Sequence, residues 1–417
     1  MNLFSDPAVG MLIVLLGGCF FVLAYLRPIW AVSGVLLLLP TYLIRNDFGG
    51  LPYNALDAVI WATFVGTALN LRFHMEWHGW GRVAILWLGA GILGVLVSPL
   101  PADALGQFKS VILEPLMVFF LLLNVIKTEG DRKYIVDAIL ASGLLLALVT
   151  ITQYFWGYGI PEPWQAYPGR RATAWFGYPN AIGLYLAPVF ACAFGLAIFQ
   201  KKRTLSWWLA VATAALIPGA VWAAQTEGAM MALAASVIFF GLWTKQKWWF
   251  VGLAVIGLAG ALAWPVSREI LLFQDVSGDV RLALWSGTLD LLQARPFTGT
   301  GLAGFPYWYD QYRLDSHVEL LNYSHNMLFD FWLQLTVLGV VAWGWLEYRF
   351  FSLLKPIKTT LNHPLLIVFA GAMLSILVYG FVDVPYFKND LAVLFWSVVA
   401  LFAVTKRWTK GQKNATI

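Results

Sequence analysis

Long apolar segments dominate this sequence. Each runs almost uninterrupted for about 16 to 25 residues, and a helix needs about 20 apolar residues to cross ~30 Å of bilayer hydrocarbon. Strands of a membrane β-barrel would instead alternate apolar and polar residues. The pattern therefore predicts an all-α polytopic integral membrane protein with 12–13 transmembrane helices. The segments are roughly 7–26, 28–44, 53–71, 83–99, 111–126, 134–155, 176–199, 205–224, 228–243, 249–266, 326–346, 364–386 and 391–405.

The composition agrees with this fold class. Hydrophobic residues make up 60% of the 417 residues and charged residues only 12%, against about 25% charged residues in an ordinary soluble domain. The mean hydropathy is +0.72. A soluble globule could not cover that much apolar surface, which excludes a cytosolic enzyme, a disordered chain and a disulfide scaffold.

Two connections between the segments are long. One covers about 156–175, and the other, 267–325, is by far the longest; loops of such length are uncommon unless they have a function. We therefore expect residues 1–417 to form a single transmembrane domain, with 267–325 as a long outer loop that contains short amphipathic helices. Arg27 and Pro28 leave almost no loop between the first two segments, so twelve crossings are the alternative to thirteen.

The positive charges predict the orientation. Connections alternate between two sides, and 18 of the 27 lysines and arginines fall on the side that includes the C-terminal tail. Loops rich in Lys and Arg remain in the cytoplasm. The C-terminus is therefore expected to be cytoplasmic and the two long loops to lie on the outer face.

Arginines are frequent in the two outer loops, although this face is otherwise poor in positive charge. Arginine binds phosphate and carboxylate groups in a planar, bidentate manner. Arg281 stands out because Asp279 is a predicted helix N-cap and apolar residues follow at helical spacing over 282–292. Arg281 would then lie in the first turn, where the helix dipole also favours an anion. Contact with lipid headgroups is the alternative for any single arginine.

His325 stands where the long loop enters an apolar segment, and it is a candidate general base. Ser324 is a predicted N-cap, and a helix N-terminus disfavours the imidazolium, so the ring would stay neutral and able to accept a proton. Asp330 is not an obvious partner, because five residues along a helix turn a side chain by about 140°. An interfacial histidine without a function is the alternative. Three loop residues are better candidates to orient the ring, and nothing selects among them: Asp315, His317 and Glu319.

Several carboxylates lie at predicted outer helix ends. Buried membrane carboxylates are costly and often functional, but at helix ends such groups ordinarily contact water or headgroups, so we assign them no role. The turn interpretation is preferred for Gly299–Gly304, which fits a dinucleotide-binding spacing but follows no strand. The sequence contains no metal-binding or cofactor motif, so neither a metal nor a cofactor is expected. The carboxylates are Asp57, Glu114, Glu227 and Asp383.

Four stretches, mainly within 165–345 and 380–400, carry a resemblance to a known family. The first runs from Arg171 to Pro179-Asn180, and the second joins Arg281 and Trp285 to the turn 296–301. The third is the pair 325–326 at a helix start, and the fourth is 383–390 before the last segment. In this order, and all on the predicted outer face, they resemble the O-antigen ligase and polymerase superfamily of bacterial membrane glycosyltransferases.

The histidine motif of that family departs in one position. It reads His, then Asn, Ser or Gln, nine residues, Gly, two residues, and Gly, Thr or Tyr. His325, Asn326 and Gly339 fit, whereas Thr336 replaces the middle glycine. We interpret this departure as a matter of helix packing more than of chemistry.

The resemblance implies that a glycan is transferred from an undecaprenyl-pyrophosphate-type lipid carrier to an acceptor hydroxyl outside the cytoplasmic (inner) membrane. Arg171 and Arg281 would hold the pyrophosphate, and His325 would activate the acceptor for inverting, metal-independent attack. The expected partners are the polyprenyl-diphosphate-linked glycan, a lipid-anchored sugar or second glycan as acceptor, and membrane lipid, with no nucleic acid. Further substrate-binding residues are predicted at Arg170, Asn180, Asn326 and Arg313.

Ligation of the glycan to a lipid-anchored sugar is the first interpretation. The alternative within the family is a repeat-unit polymerase, because the donor chemistry is shared and no motif reveals the acceptor. From another class, a transporter of lipid-linked or anionic solutes would need charge and broken helices at mid-membrane. The suspected residues instead cluster on one predicted face.

Overall fold

The apolar segments fold into α-helices in the computed structural model, which describes residues 6–48, 51–72, 74–166, 169–200, 203–314, 321–354 and 364–414. Among these residues, seven helices are long and apolar enough to cross a membrane, and five further apolar helices have 10–17 residues. A bent helix pair over 247–294 turns by 104°. Counting this pair as one span gives eight candidate crossings among the described residues, against the 12–13 predicted. The predicted all-α polytopic membrane protein is confirmed as a fold class.

The bounds of the elements differ from the predicted segments mainly at their ends. The helices are α1 Pro7–Leu26, α2 Pro28–Leu37, α3 Ala55–Asn70, α4 Gly81–Leu96, α5 Pro101–Phe108, α6 Glu114–Val125, α7 Glu129–Trp156, α8 Asn180–Phe199, α9 Leu205–Ala224, α10 Glu227–Leu242, α11 Lys247–Ala263, α12 Pro265–Leu271, α13 Val276–Ala294, α14 Phe305–Tyr309, α15 Met327–Ser352, α16 Pro364–Gly380 and α17 Asn389–Asn414. A π-helical turn, Lys109–Leu113, joins α5 and α6 into one span, Pro101–Val125. This span begins well before the predicted segment 111–126, so Glu114 lies inside a helix and not at its end.

A short antiparallel hairpin precedes α3, where the sequence predicted only a connection. Strand β1, Arg45–Phe48, pairs with β2, Leu51–Asn54, with Arg45 opposite Asn54. The Asn54 side chain then accepts a hydrogen bond from the Asp57 N–H, and Asp57 accepts one from the Asn54 N–H. This capping box satisfies two backbone donors that a helix start leaves open, and it holds the hairpin against the start of α3.

The segment 267–325 contains a longer helix than the short ones expected. The N-cap of α13 is Asp275, whose carboxylate accepts from the Ser277 and Gly278 N–H groups at 3.1 and 3.2 Å. The predicted N-cap, Asp279, is therefore wrong. Arg281 lies in the second turn, where the free N–H groups and the dipole of a helix start no longer contribute appreciably.

Helix α15 is broken at Thr336, whose φ is 65°. The break exposes the Leu333 carbonyl to the turn 296–301, and it accepts from the N–H groups of Thr300 and Gly301 at 2.8 and 3.1 Å. A β-branched residue at positive φ costs about 1–3 kcal/mol. The departure at Thr336 thus adds backbone strain where the turn packs on α15, and the interpretation as a matter of helix packing stays a prediction.

The turn interpretation of Gly299–Gly304 is confirmed. Gly299 and Gly301 have φ values of 57° and 74°, which favour glycine. A Cβ atom at Gly299 would also collide with the backbone carbonyls of Trp332 and Leu333. The turn therefore packs directly on the broken part of α15.

The loop 381–388, between α16 and α17, is fastened to the aromatic core through Tyr386. Its hydroxyl accepts from the indole N–H groups of Trp87 and Trp396 at 2.8 and 3.1 Å and donates to the Val111 carbonyl at 2.8 Å. All three aromatic side chains are fully buried. This loop is consequently a fixed part of the structure, which matters because it also carries residues of the candidate site.

We expect Tyr386→Phe to lower the free energy of unfolding by about 2–4 kcal/mol. Two buried indole donors and a carbonyl lose their partner, and each unsatisfied group costs about 1–3 kcal/mol. The apparent unfolding temperature in detergent, followed by tryptophan fluorescence, measures the effect. Tyr307→Phe removes an exposed hydroxyl, since Tyr307 is 54% exposed, and it should leave the temperature unchanged. Equal temperatures for both variants would contradict the prediction.

Candidate active site

A cavity of about 260 Å³ lies where the starts of α8 and α10 meet α13 and the loop 381–388. Arg171, Asn180 and Arg281 line it, although they come from distant parts of the chain. Glu227 and Asp383 line it as well, with Gln225, Gly228, Met230, Ile270, Ser277 and Tyr379. Three of the predicted site residues therefore share one cavity.

Arg171 is held firmly by its surroundings. Its Nε donates to the Ala224 carbonyl at 3.0 Å, and its Nη2 donates to the Gln225 carbonyl at 3.0 Å and to Asn180 Oδ1 at 3.3 Å. The guanidinium also lies 5.1 Å from the ring centre of Trp164. These contacts fix the cation beside the C-terminus of α9, where carbonyl groups are unpaired and a positive charge is favourable.

Arg281 is held more loosely. Its Nη1 lies 3.9 Å from a carboxylate oxygen of Glu227, and the Arg281 side chain is 17% exposed. A separation of 3.9 Å is too long for a strong bidentate ion pair, in which N–O distances are about 2.7–2.9 Å. The guanidinium therefore retains donor capacity for an anion in the cavity.

His325 lies next to the cavity and is oriented by Asp383. Its Nδ1 is 3.3 Å from Asp383 Oδ1, and its ring packs against Tyr323 with centres 4.3 Å apart and the planes tilted by 31°. With Nδ1 donating to the carboxylate, Nε2 carries the lone pair that accepts a proton. The side chain is 18% exposed, against 2% for Asp383, so the ring can meet a substrate while its partner cannot.

The Asp383 carboxylate accepts hydrogen bonds from several residues of the site. It accepts from His325, from the Val384 N–H at 2.8 Å and from Asn180 Nδ2 at 3.5 Å. Burial by itself would raise the pKa of Asp383, but His325, the Val384 N–H and Arg281 together bring that pKa below its ordinary value. The carboxylate is therefore ionised at neutral pH and stabilises positive charge on the imidazole.

The backbone at His325 is left-handed, with φ of 50°. The N-cap of α15 is Asn326, whose Oδ1 accepts from the Leu328 and Phe329 N–H groups, so the predicted N-cap Ser324 is wrong. Ser324 instead donates from N and Oγ to Asp330 Oδ1, at 2.9 and 2.5 Å. Strained residues of this kind are held in place by their surroundings and are frequent at functional sites.

The remaining predicted site residues lie outside the cavity, and three of them contact backbone carbonyls or a neighbouring carboxylate instead. Arg170 donates to the Tyr154 carbonyl at 2.9 Å, and Arg313 pairs with Asp310 at 3.2 Å; neither lines the cavity. Asn326 donates to the Phe381 carbonyl at 3.0 Å, which joins the histidine turn to the loop 381–388. The predicted ring-orienting candidates 315, 317 and 319 lie outside the described residues.

The positions of Glu227 and Asp383 in the cavity were not predicted, because carboxylates at helix ends were expected to contact water or headgroups. Asp383 is buried, as are Asp57 and Glu114, so that expectation was wrong for three of the four. Asp383 belongs to the fourth motif stretch, and this was the one signal that could have drawn attention to it. Its pairing with a histidine 58 positions earlier produces no periodic pattern in the sequence.

A comparison with known families agrees with the motifs. Residues 212–344 match a family model described as O-antigen ligase, and this range includes Glu227, Arg281 and His325. No curated protein matches the chain. The resemblance to this family is confirmed over the matched range, which contains the second and third stretches, whereas the first and fourth stretches lie outside it. The match supports membership of this chain in the O-antigen ligase superfamily, as a membrane glycosyltransferase of the ligase or polymerase type.

Proposed function

We propose that the protein transfers a glycan from an undecaprenyl-pyrophosphate-type carrier to an acceptor hydroxyl, at the outer face of the inner membrane. The observation that carries this proposal is the cavity that places Arg171 and Arg281 beside Asp383, whose carboxylate is in contact with the His325 ring. An anion site and a base with a buried carboxylate partner are the two parts that such a transfer needs.

In the proposed reaction, His325 Nε2 takes the proton of the acceptor hydroxyl as its oxygen attacks the anomeric carbon. The bond from this carbon to the pyrophosphate oxygen breaks, and its electron pair leaves with the pyrophosphate. Arg281 and Arg171 stabilise the added charge on the leaving group. Asp383 stabilises the imidazolium until its proton passes to solvent. Attack from the face opposite the leaving group inverts the configuration.

The charged groups favour an enzyme over a transporter. Arg171, Glu227 and Asp383 lie at helix starts or in loops at one end of the helix bundle. A transporter of anionic solutes would place its charges near the middle of the bilayer. Ligation to a lipid-anchored sugar remains the first interpretation and polymerisation the alternative, since both use this donor site.

Purified protein in nanodiscs, given a polyprenyl-pyrophosphate glycan and a lipid-anchored sugar in EDTA, tests the proposal. We expect the acceptor to be lengthened at an undiminished rate in EDTA, because the proposed charge stabilisation comes from arginines. A product ladder from the donor alone would identify the polymerase alternative. The proposal would be overturned if neither product formed while the protein moved the donor across vesicles.

A further inference from the structure

A second cavity, of about 480 Å³, lies at the same end of the bundle as the candidate active site. It is formed by the hairpin β1–β2, the start of α3, the π-turn between α5 and α6, and the start of α17. Three cations line it, namely Arg45, Lys109 and Lys388, against two acids, Asp47 and Asp57. The excess of positive charge in a polar cavity favours an anionic ligand.

The acid Asp57 is already neutralised within the protein. It forms an ion pair with Lys109 and accepts a hydrogen bond from Asn389 Nδ2 at 3.1 Å. The same amide donates to Glu114 at 2.9 Å, and Glu114 also accepts from Trp61 Nε1 at 3.0 Å. This buried network builds the wall of the cavity and uses the charge of Lys109. Arg45 and Lys388 remain as the other cations of the lining, with Asp47 as its other acid.

Lys388 has an unused hydrogen-bonding capacity. Its Nζ is buried and, within the described part of the chain, donates to no hydrogen-bond acceptor, and the nearby negative charge that acts on it is that of Asp390. It lies 4.0 Å from the ring centre of Tyr178. A buried ammonium without an acceptor costs free energy, and an anion bound in the cavity would remove that cost. Arg45, at the exposed start of β1, supplies the bidentate donor that such an anion prefers.

The two cavities share structural elements. The loop 381–388 carries Asp383 in the first and Lys388 in the second, five positions apart, so their Cα atoms are at most about 18 Å from each other. Tyr178, under the Lys388 ammonium, is two residues from Asn180 of the first cavity. The loop 381–388 therefore connects the second cavity directly to Asp383, the partner of His325.

We infer that the second cavity binds a phosphate group of the acceptor substrate, and this inference rests on the proposed function. The first cavity holds the leaving pyrophosphate of the donor, and a transfer reaction needs a separate place for the acceptor. The phosphate has two possible sources: a phosphorylated lipid-anchored sugar, or the pyrophosphate of a second polyprenyl-linked glycan. Arg45 and Lys388 recognise the phosphate in either case, and the buried network around Asp57 positions the cavity wall.

Binding without turnover tests this inference independently of glycan transfer. The probes are a phosphorylated lipid-anchored disaccharide, the same lipid without phosphate, and a polyprenyl-pyrophosphate glycan, each titrated into nanodisc-embedded protein. We expect Arg45→Gln and Lys388→Gln each to weaken binding of the phosphorylated disaccharide about tenfold or more, the range for a charged hydrogen bond. Binding of the lipid without phosphate should not change. Arg72→Gln, an exposed arginine just beyond the opposite end of α3, is the matched control.

The possible outcomes distinguish the two sources of the phosphate, and they distinguish failure of this inference from failure of the proposed function. Weakened binding of the phosphorylated disaccharide supports the inference with a lipid-anchored sugar as the source. A fall from two bound polyprenyl-pyrophosphate glycans to one supports it with a second carrier as the source. Unchanged binding of both probes in both variants overturns the inference, even where the wild-type protein transfers glycan. Absence of transfer together with phosphate-dependent binding would overturn the proposed function alone.

Discussion

Replacement of His325 by alanine is expected to lower kcat for glycan transfer about 10²–10⁴-fold, the usual contribution of a general base. The acceptor hydroxyl would lose the group that takes its proton, while the anion site of Arg171 and Arg281 stays intact. KM for the donor should therefore change little. Single-turnover transfer with radiolabelled donor measures the rate, and donor titration gives KM.

Two controls accompany this prediction. Asp383→Asn keeps the shape of the carboxylate but removes the charge opposite the imidazolium. Assayed at the same pH as the His325→Ala variant, it should also lower kcat. The unfolding temperature of each variant shows whether the fold is retained. A His325→Ala protein with full transfer activity and a normal unfolding temperature would exclude the general-base role.

Replacement of Arg281 by lysine is expected to lower kcat/KM for the donor about 10- to 100-fold. Lysine keeps the charge but loses the planar fork that binds two phosphate oxygens, and a charged hydrogen bond is worth about 1.5–3 kcal/mol. Inhibition by inorganic pyrophosphate, which mimics the charged part of the leaving group, should weaken in parallel, and this distinguishes anion binding from a general disturbance. Arg268→Lys, an exposed arginine on α12, should behave as wild type.

Arg171 should respond differently from Arg281, because it donates to two backbone carbonyls and to Asn180. Lysine cannot make these three contacts in one plane. Arg171→Lys should therefore reduce the unfolding temperature as well as activity, whereas Arg281→Lys should reduce activity alone. Equal activity of the Arg281→Lys protein and the wild type would argue against bidentate capture of the leaving group.

Much of the fold could be predicted because membrane helices are encoded locally. A run of about 20 apolar residues must satisfy its own backbone in the hydrocarbon, and only a helix does so within one segment. The predicted segments 7–26 and 205–224 thus coincide with α1 and α9. The start of α5 was missed, because 101–108 is only weakly apolar and its membership in a long span depends on the following π-turn and α6.

The candidate site could be predicted in part. Residue type and position identified Arg171, Arg281 and His325 as candidates. An arginine or a histidine on a face poor in positive charge indicates a possible site even when its spatial neighbours are unknown. The helix caps were predicted less well, because Asp275 and Asp279 are equally good caps by residue type. In the structure the cap is Asp275, and the backbone of Phe273 lies close against Gly278 in the first turn.

By itself, the sequence determined the fold class, the order of the helices and the chemical types in the site, because each depends on composition or on neighbours within a few residues. The tertiary structure decided the partners. It set Asp383 against His325, joined Arg171 to the end of α9, and built the second cavity from the hairpin β1–β2, the π-turn and the loop 381–388. These pairings join residues up to several hundred positions apart, and their free energy arises only when the packed helices exclude water and bring the charges together.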